Sequence, residues 1–258
     1  GFSTISGATN DRVLTSDGTA NAAVAEANMT FNGSTLTVAS NIVVGSSNTL
    51  TSPTDNFVHG NTNSVLASSY SALIAARNAD LGSGFTANAL VSGLYPKGRN
   101  WQTHHRIWTS GRFAATGDFQ AMRFTIFRAT TDATPTVLTG DGAAPSFAGA
   151  GNATNTIYIP NDPTSWSAYG FDGMVVATRE STVSASMWRV SGLMRGGTTG
   201  IIGSPVITKV SDNTNGAWNI DTIVTASGAL GYFTIAVTGS AATNIRWGAN
   251  IELVRVSY

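Results

Sequence analysis

The chain has 258 residues, 42% hydrophobic and 9% aromatic, which is enough to bury a sizeable core in one or two domains. Only 11% of residues are charged, and 14 Lys and Arg balance 14 Asp and Glu. No positive field is available to drive phosphate contacts, so nucleic acid and anionic membrane are not expected partners.

The absence of cysteine removes disulfides, thiol nucleophiles and thiolate metal sites. No apolar run approaches the roughly 18 residues of a membrane-spanning helix, so no membrane insertion is expected. The opening residues, GFSTISGATN, carry neither an initiator Met nor the basic and apolar regions of a signal peptide, and the chain reads as part of a longer protein. Lys97 and Lys209 are the lysines and Glu26, Glu180 and Glu252 the glutamates, too few to cover exposed helix faces. Thr, Val, Ile and aromatics broken by Gly, Asn, Asp and Ser predict an all-β chain of short strands and tight turns. The Ala-rich stretch Ala20 to Ala27 suits a helix turn or two, a loop or a strand equally.

Residues 1–55 read as a hairpin-rich connector. In Met29-Thr30-Phe31-Asn32-Gly33-Ser34-Thr35-Leu36-Thr37-Val38, Asn-Gly separates two β-rich runs, which predicts a hairpin with a type I′ turn and positive φ at both Asn32 and Gly33. A second turn is expected at Ser16-Asp17-Gly18. The region has too few apolar side chains for a core of its own and needs neighbouring domains or partner chains.

Residues 56–100 carry a weak repeat with a spacing of seven, aligning Asn63-Ser64-Val65-Leu66, Tyr70-Ser71-Ala72-Leu73 and Arg77-Asn78-Ala79-Asp80. A coiled coil fails, because Ser, Asn and Ala stand where large core residues are needed and Gly60, Gly82 and Gly84 would break the helix. Short strands with small inward residues suit a β-solenoid-like shaft or collar, each coil burying its face on the next.

Residues 101–258 alternate with period two in several stretches: Met122, Phe124 and Ile126; Trp188 and Val190; Trp218, Ile220 and Val224; Phe233, Ile235 and Val237; Ile245, Trp247, Ala249, Ile251 and Leu253. Turn chemistry separates them, as at Gly140-Asp141-Gly142, Pro160-Asn161-Asp162-Pro163 and Ser227-Gly228. The expected architecture is a C-terminal antiparallel β-sandwich, jelly-roll-like, whose last strand runs from Asn244 to Ser257.

The repeat of residues 56–100 resembles the head repeats of trimeric autotransporter adhesins. Arg12-Val13-Leu14-Thr15, followed by Ala27-Asn28-Met29-Thr30-Phe31-Asn32-Gly33-Ser34-Thr35-Leu36-Thr37-Val38, resembles a segment of tailed-phage fibre proteins. The C-terminal region is similar to a terminal module of phage tail proteins through Gly117-Asp118-Phe119-Gln120, Trp188-Arg189-Val190-Ser191-Gly192, Phe233-Thr234-Ile235-Ala236-Val237-Thr238-Gly239 and Ile245-Arg246-Trp247-Gly248-Ala249. Gly248 departs from the larger residue expected in such a strand. The resemblance implies a homotrimeric virion fibre attached to upstream fibre or tail proteins, with a distal knob that meets a host-surface glycan or protein. A capsid-attached fibre or decoration protein and a bacterial trimeric adhesin are alternatives, with a glycan-hydrolysing appendage behind them.

No nucleophile elbow, phosphate loop or metal motif is present, and Asp17, Asp141, Asp162 and Asp212 sit in turn sequences that already explain them. No catalytic activity, cofactor or metal is expected. Extended His104 and His105 point to opposite faces and cannot share one ion within a chain. Sugars bind on aromatic faces with their hydroxyls held by polar groups, which makes Trp101, His104 and Trp108 one candidate receptor contact and Trp166 with Tyr169 a second. Trp188, Trp218 and Trp247, on alternating strands, are expected in the core.

Overall fold

The computed structural model describes residues 4–6, 12–16, 18, 22–34, 36–38, 42–50, 57–65, 68–69, 73–77, 80–81, 85–86, 90–94, 97–98, 105–109, 111–114, 118–145, 155–159, 167–179, 184–195, 200–213, 218–227 and 230–257. The chain is all-β; no helix occurs among the described residues.

Four strands form the first sheet: β1 (Thr4–Ser6), β2 (Arg12–Ser16), β3 (Ala22–Phe31) and β4 (Leu36–Val38), with β3 between β1 and β2 and also pairing β4. The Ala-rich stretch resolves as strand β3. The hairpin expected around Asn-Gly forms, pairing Phe31 with Leu36 and Met29 with Val38. Its turn is not type I′. Four residues separate Phe31 from Leu36, only Gly33 of the Asn-Gly pair takes positive φ (95°), and the Ser34 N–H donates to Asn32 Oδ1 at 3.1 Å. An Asx turn therefore does the work expected of a two-residue turn.

A parallel stack follows. Strands β5 (Ile42–Val44), β6 (Thr49–Leu50), β7 (Phe57–Asn61), β8 (Ser64–Val65), β9 (Ser68–Ser69), β10 (Leu73–Arg77), β11 (Asp80–Leu81), β12 (Phe85–Thr86), β13 (Leu90–Leu94), β14 (Lys97–Gly98) and β15 (His105–Thr109) recur in a fixed order of faces. One face holds β5, β7, β10, β13 and β15, a second β6, β8, β11 and β14, a third β9 and β12. Ile42, Phe57, Leu73, Leu90 and Arg106 occupy equivalent positions in successive coils, so a coil is 15 to 17 residues long. The seven-residue spacing is not the coil period: it falls just short of half a coil, and among the described residues it links Leu73 on the first face to Asp80 on the second. Glycine marks the corners. Gly45, Gly60 and Gly93 all take positive φ, and a Cβ at Gly93 would stand 1.8 Å from the Thr109 carbonyl oxygen. Backbone packs on backbone there, which only glycine permits. Asn48 ties neighbouring coils together, donating to the Gly60 carbonyl and accepting from the N–H of buried Asn63.

The remaining strands are β16 (Phe119–Thr130), β17 (Thr136–Val137), β18 (Ile157–Ile159), β19 (Ser167–Arg179), β20 (Ala185–Arg195), β21 (Gly200–Asp212), β22 (Asn219–Ser227), β23 (Leu230–Thr238) and β24 (Ile245–Ser257). β15 pairs antiparallel with β16, so the first face of the stack continues into the antiparallel series β16, β24, β19, β20, β21 as one ten-stranded sheet. The smaller sheet of β17, β23, β18 and β22 covers its inner face.

Every inward residue expected from the alternations of β16, β20, β23 and β24 is buried. Trp188 stacks on Trp247 at 5.5 Å, Trp218 meets Trp247 at 6.1 Å, and Phe171 meets Phe233 across the sheets at 5.1 Å. The connectivity is not that of a jelly roll. β19, β20 and β21 form a meander within one sheet, and β24 returns beside β19. That makes one Greek-key return where a jelly roll needs two, because consecutive strands here stay in one sheet rather than alternating between sheets.

Trp247 anchors this core: it is 2% exposed and its indole N–H donates to the buried Thr130 hydroxyl at 3.0 Å. Trp247→Ala should cost about 3 to 5 kcal/mol in chemical denaturation of the whole chain. An unchanged midpoint would mean that the ring does not support the sandwich.

Candidate functional site

With the inward positions of β16, β24 and β19 given to the core, their outward positions make a flat surface. Strand pairing sets Phe127, Gly248 and Val176 in one row across it, and Ala129, Arg246 and Thr178 in the next. Phe127 is 46% exposed and Val176 45%. A Cβ at Gly248 would meet nothing within 4 Å, so the missing side chain leaves a trough between two walls. The resulting cleft is about 620 Å³, with Phe127, Val176 and Gly248 at its apolar part and Asp141, Thr178 and Arg246 around them.

The loop after β17 closes one side. Phe127 and Thr139 exchange backbone hydrogen bonds of 2.8 and 3.3 Å, and the Arg128 guanidinium donates to the Ala143 carbonyl. Gly142 lies against the Phe127 ring with φ of 73°, where a Cβ would stand 2.6 Å from a ring carbon. Asp141 Oδ1 accepts from the Ala143 N–H at 2.9 Å and from Asn155 Nδ2 at 2.8 Å, and the same Asn155 nitrogen donates to the Ala144 carbonyl. Slight burial works to raise the Asp141 pKa, but the hydrogen bonds from Ala143, Asn155 and Thr139 together outweigh it and hold the carboxyl below its ordinary value. The turn residue is thus also a fixed anion at the cleft. An aromatic wall, an open floor, a carboxylate acceptor, and guanidinium and hydroxyl groups are the combination that binds the faces and hydroxyls of a polar ring. Among the described residues no group of three or more His, Cys, Asp or Glu could hold a metal ion.

Of the residues singled out by sequence, Trp108 and Tyr169 are described, and neither lines the cleft. Trp108 lies on β15, half-buried, with the Arg106 guanidinium 5.9 Å from its ring centre. Its partner Ala121 is six residues from Phe127 along β16, about 20 Å at the rise of an antiparallel strand. Tyr169 is fully buried: it shares the inward side of β19 with Ser167 and Phe171, so its ring packs the core instead of offering a surface. Trp101, His104 and Trp166 lie outside the described residues. The trough was foreshadowed by two outward anomalies, an aromatic directly after inward Ile126 and the unexpected Gly248. Strand pairing alone brings them together.

No family model matches the chain, and no curated protein matches it. Among solved structures it is similar to the crystal structure of the Acinetobacter phage vB_ApiP_P1 tailspike protein, at 11% identity and a TM-score of 0.20, over 81% of this chain and 47% of that one. The chain thus spans about half the length of that tailspike, and at that TM-score the two do not have to share a fold.

Two measurements probe the loop. Gly142→Ala meets both an unfavourable φ and the Phe127 ring, and should lower stability by about 1 kcal/mol or more. Because the folded pKa of Asp141 is depressed, its contribution is present above the unfolded value and lost as pH falls through the folded one. The stability difference between the native chain and Asp141→Asn should stay constant above about pH 5 and shrink below about pH 4. A difference that grows on acidification would contradict the assignment.

Proposed function

We propose that the chain is the distal part of a tailed-phage fibre, a homotrimer that attaches the virion to host-surface carbohydrate without catalysis. The observation that carries this proposal is the preformed trough on the outer face of the terminal sandwich. Its aromatic wall is held by a glycine loop, and its polar groups include both donors and acceptors. Such a site needs little rearrangement to accept a sugar ring. Joined to it through β15 and β16 is a parallel stack of short coils, a form suited to a shaft. The resemblance of residues 12–15 and 27–38 to fibre segments points the same way, with the N-terminal sheet meeting upstream fibre or tail proteins. Trimerisation would cover apolar side chains that one copy leaves open on the stack, where Ile42, Val43, Val44 and Phe57 are 40 to 45% exposed.

With a net charge of zero, recognition rests on hydrogen bonds and ring contacts, so affinity should vary little with salt. Binding should be weak per site and strengthened by avidity in the trimer.

Gly248→Leu fills the trough from an unobstructed position and should leave the stability within about 0.5 kcal/mol of the native value. It should remove binding to host cells and to their extracted surface polysaccharide. Undiminished binding by a folded Gly248→Leu trimer would reject the trough as the contact, and a folded monomer at micromolar concentration in sedimentation would reject the fibre assembly.

A further inference from the structure

The outward face of the same sheet carries a second depression that the trough does not use. It is about 350 Å³ and is lined by Arg123, Asp172, Met174, Arg189, Asn250 and Glu252. Strand pairing sets Arg123 opposite Glu252 and Glu252 opposite Asp172, so two carboxylates stand side by side across β24 and β19. Like charges in directly opposed positions disfavour a sheet, and Arg123 opposite Glu252 and Arg189 beside Asp172 offset that cost. Only one of the two carboxylates is held in a close ion pair. Arg189 forms a two-pronged ion pair with Asp172, at 3.0 and 3.2 Å, whereas the Glu252 carboxylate makes no hydrogen bond or ion pair among the described residues. Arg123 is oriented by a 2.6 Å bond from its Nε to Asn250 Oδ1, which leaves its terminal nitrogens available. Met174, 52% exposed, supplies the apolar part of the surface.

Acceptor oxygens on Glu252 beside donor nitrogens on Arg123, next to an exposed thioether, suit a ligand whose neighbouring hydroxyls both donate and accept. The balance of two arginines and two carboxylates favours an uncharged ligand over an acidic or basic one. The position matters as much as the chemistry. Gly248, Asn250 and Glu252 are successive outward residues of β24, so the trough floor and Glu252 are four residues apart on one strand. At the rise of an antiparallel strand that is about 14 Å, longer than a single sugar ring. We infer that the depression around Glu252 is a second sugar subsite, collinear with the Gly248 trough along β24, and that the ligand is a neutral oligosaccharide long enough to occupy both. This inference rests on the carbohydrate-binding role proposed for the trough and extends it to a ligand class and a minimum length.

The full chain is titrated by calorimetry with neutral glycans graded from monosaccharide to hexasaccharide. The expected result is that affinity rises with length until both sites are spanned. Glu252→Gln, an exposed change that should not alter melting, should lower the affinity of the long members about tenfold and leave that of the monosaccharide unchanged. If the native chain binds every length equally, or if Glu252→Gln binds long members as the native chain does, the second subsite is wrong and the trough assignment stands. If no member binds, both fall.

Discussion

The structure depends on one row of inward side chains that crosses from the parallel stack into the sandwich. Register, passing through β10, aligns Val58, Val91, Ile107, Met122, Leu253 and Phe171 across β7, β13, β15, β16, β24 and β19. Val58, Val91, Ile107, Met122 and Leu253 are each 0% exposed and belong to one continuous core. The row ends where Gly192 leaves space for the Phe171 ring; a Cβ there would stand 2.6 Å from it. A coil of 15 to 17 residues has little apolar surface of its own, so it is stable only by continuing a neighbour's core. The antiparallel pairing of β15 with β16 supplies that continuity at the sandwich end.

The same constraint positions the surface chemistry. Because alternate residues are committed inward, the outward residues of β16, β24 and β19 are held on a backbone fixed by hydrogen bonds on both sides, with no loop needed to place them. Phe127 and Val176 therefore face each other over Gly248 at a separation set by strand spacing. The one loop involved, around Asp141 and Gly142, is tied back to β16 by the Thr139 bridge and to Asn155 by side-chain bonds, so the aromatic wall is supported before any ligand arrives.

How much of this was legible in the sequence follows from periodicity. Met122, Phe124 and Ile126, and Ile245 through Leu253, alternate because each strand has one buried and one open face, and that signal survives in a single sequence. The coils were harder to read. Their strands are two to five residues long, too short for alternation to accumulate, and the period shows in small residues at one aligned position, Gly60, Ala76 and Gly93, instead of in apolar residues. Tyr169 shares the inner face with Phe171 and Val175, but Gly170 and Gly173 interrupt the alternation that would show it in the sequence. The site itself could not be assembled from sequence, since Phe127, Val176 and Gly248 are distant along the chain and meet only through strand order.

Native-state hydrogen exchange tests the shared core most directly. If the row through Ile107 and Met122 makes stack and sandwich one cooperative unit, the amides of Val91 and Ile107 should exchange with the same opening free energy as those of Phe171 and Leu253, near that of global unfolding. Exchange of residues 57–109 at a clearly lower free energy, with the sandwich still fully protected, would contradict it.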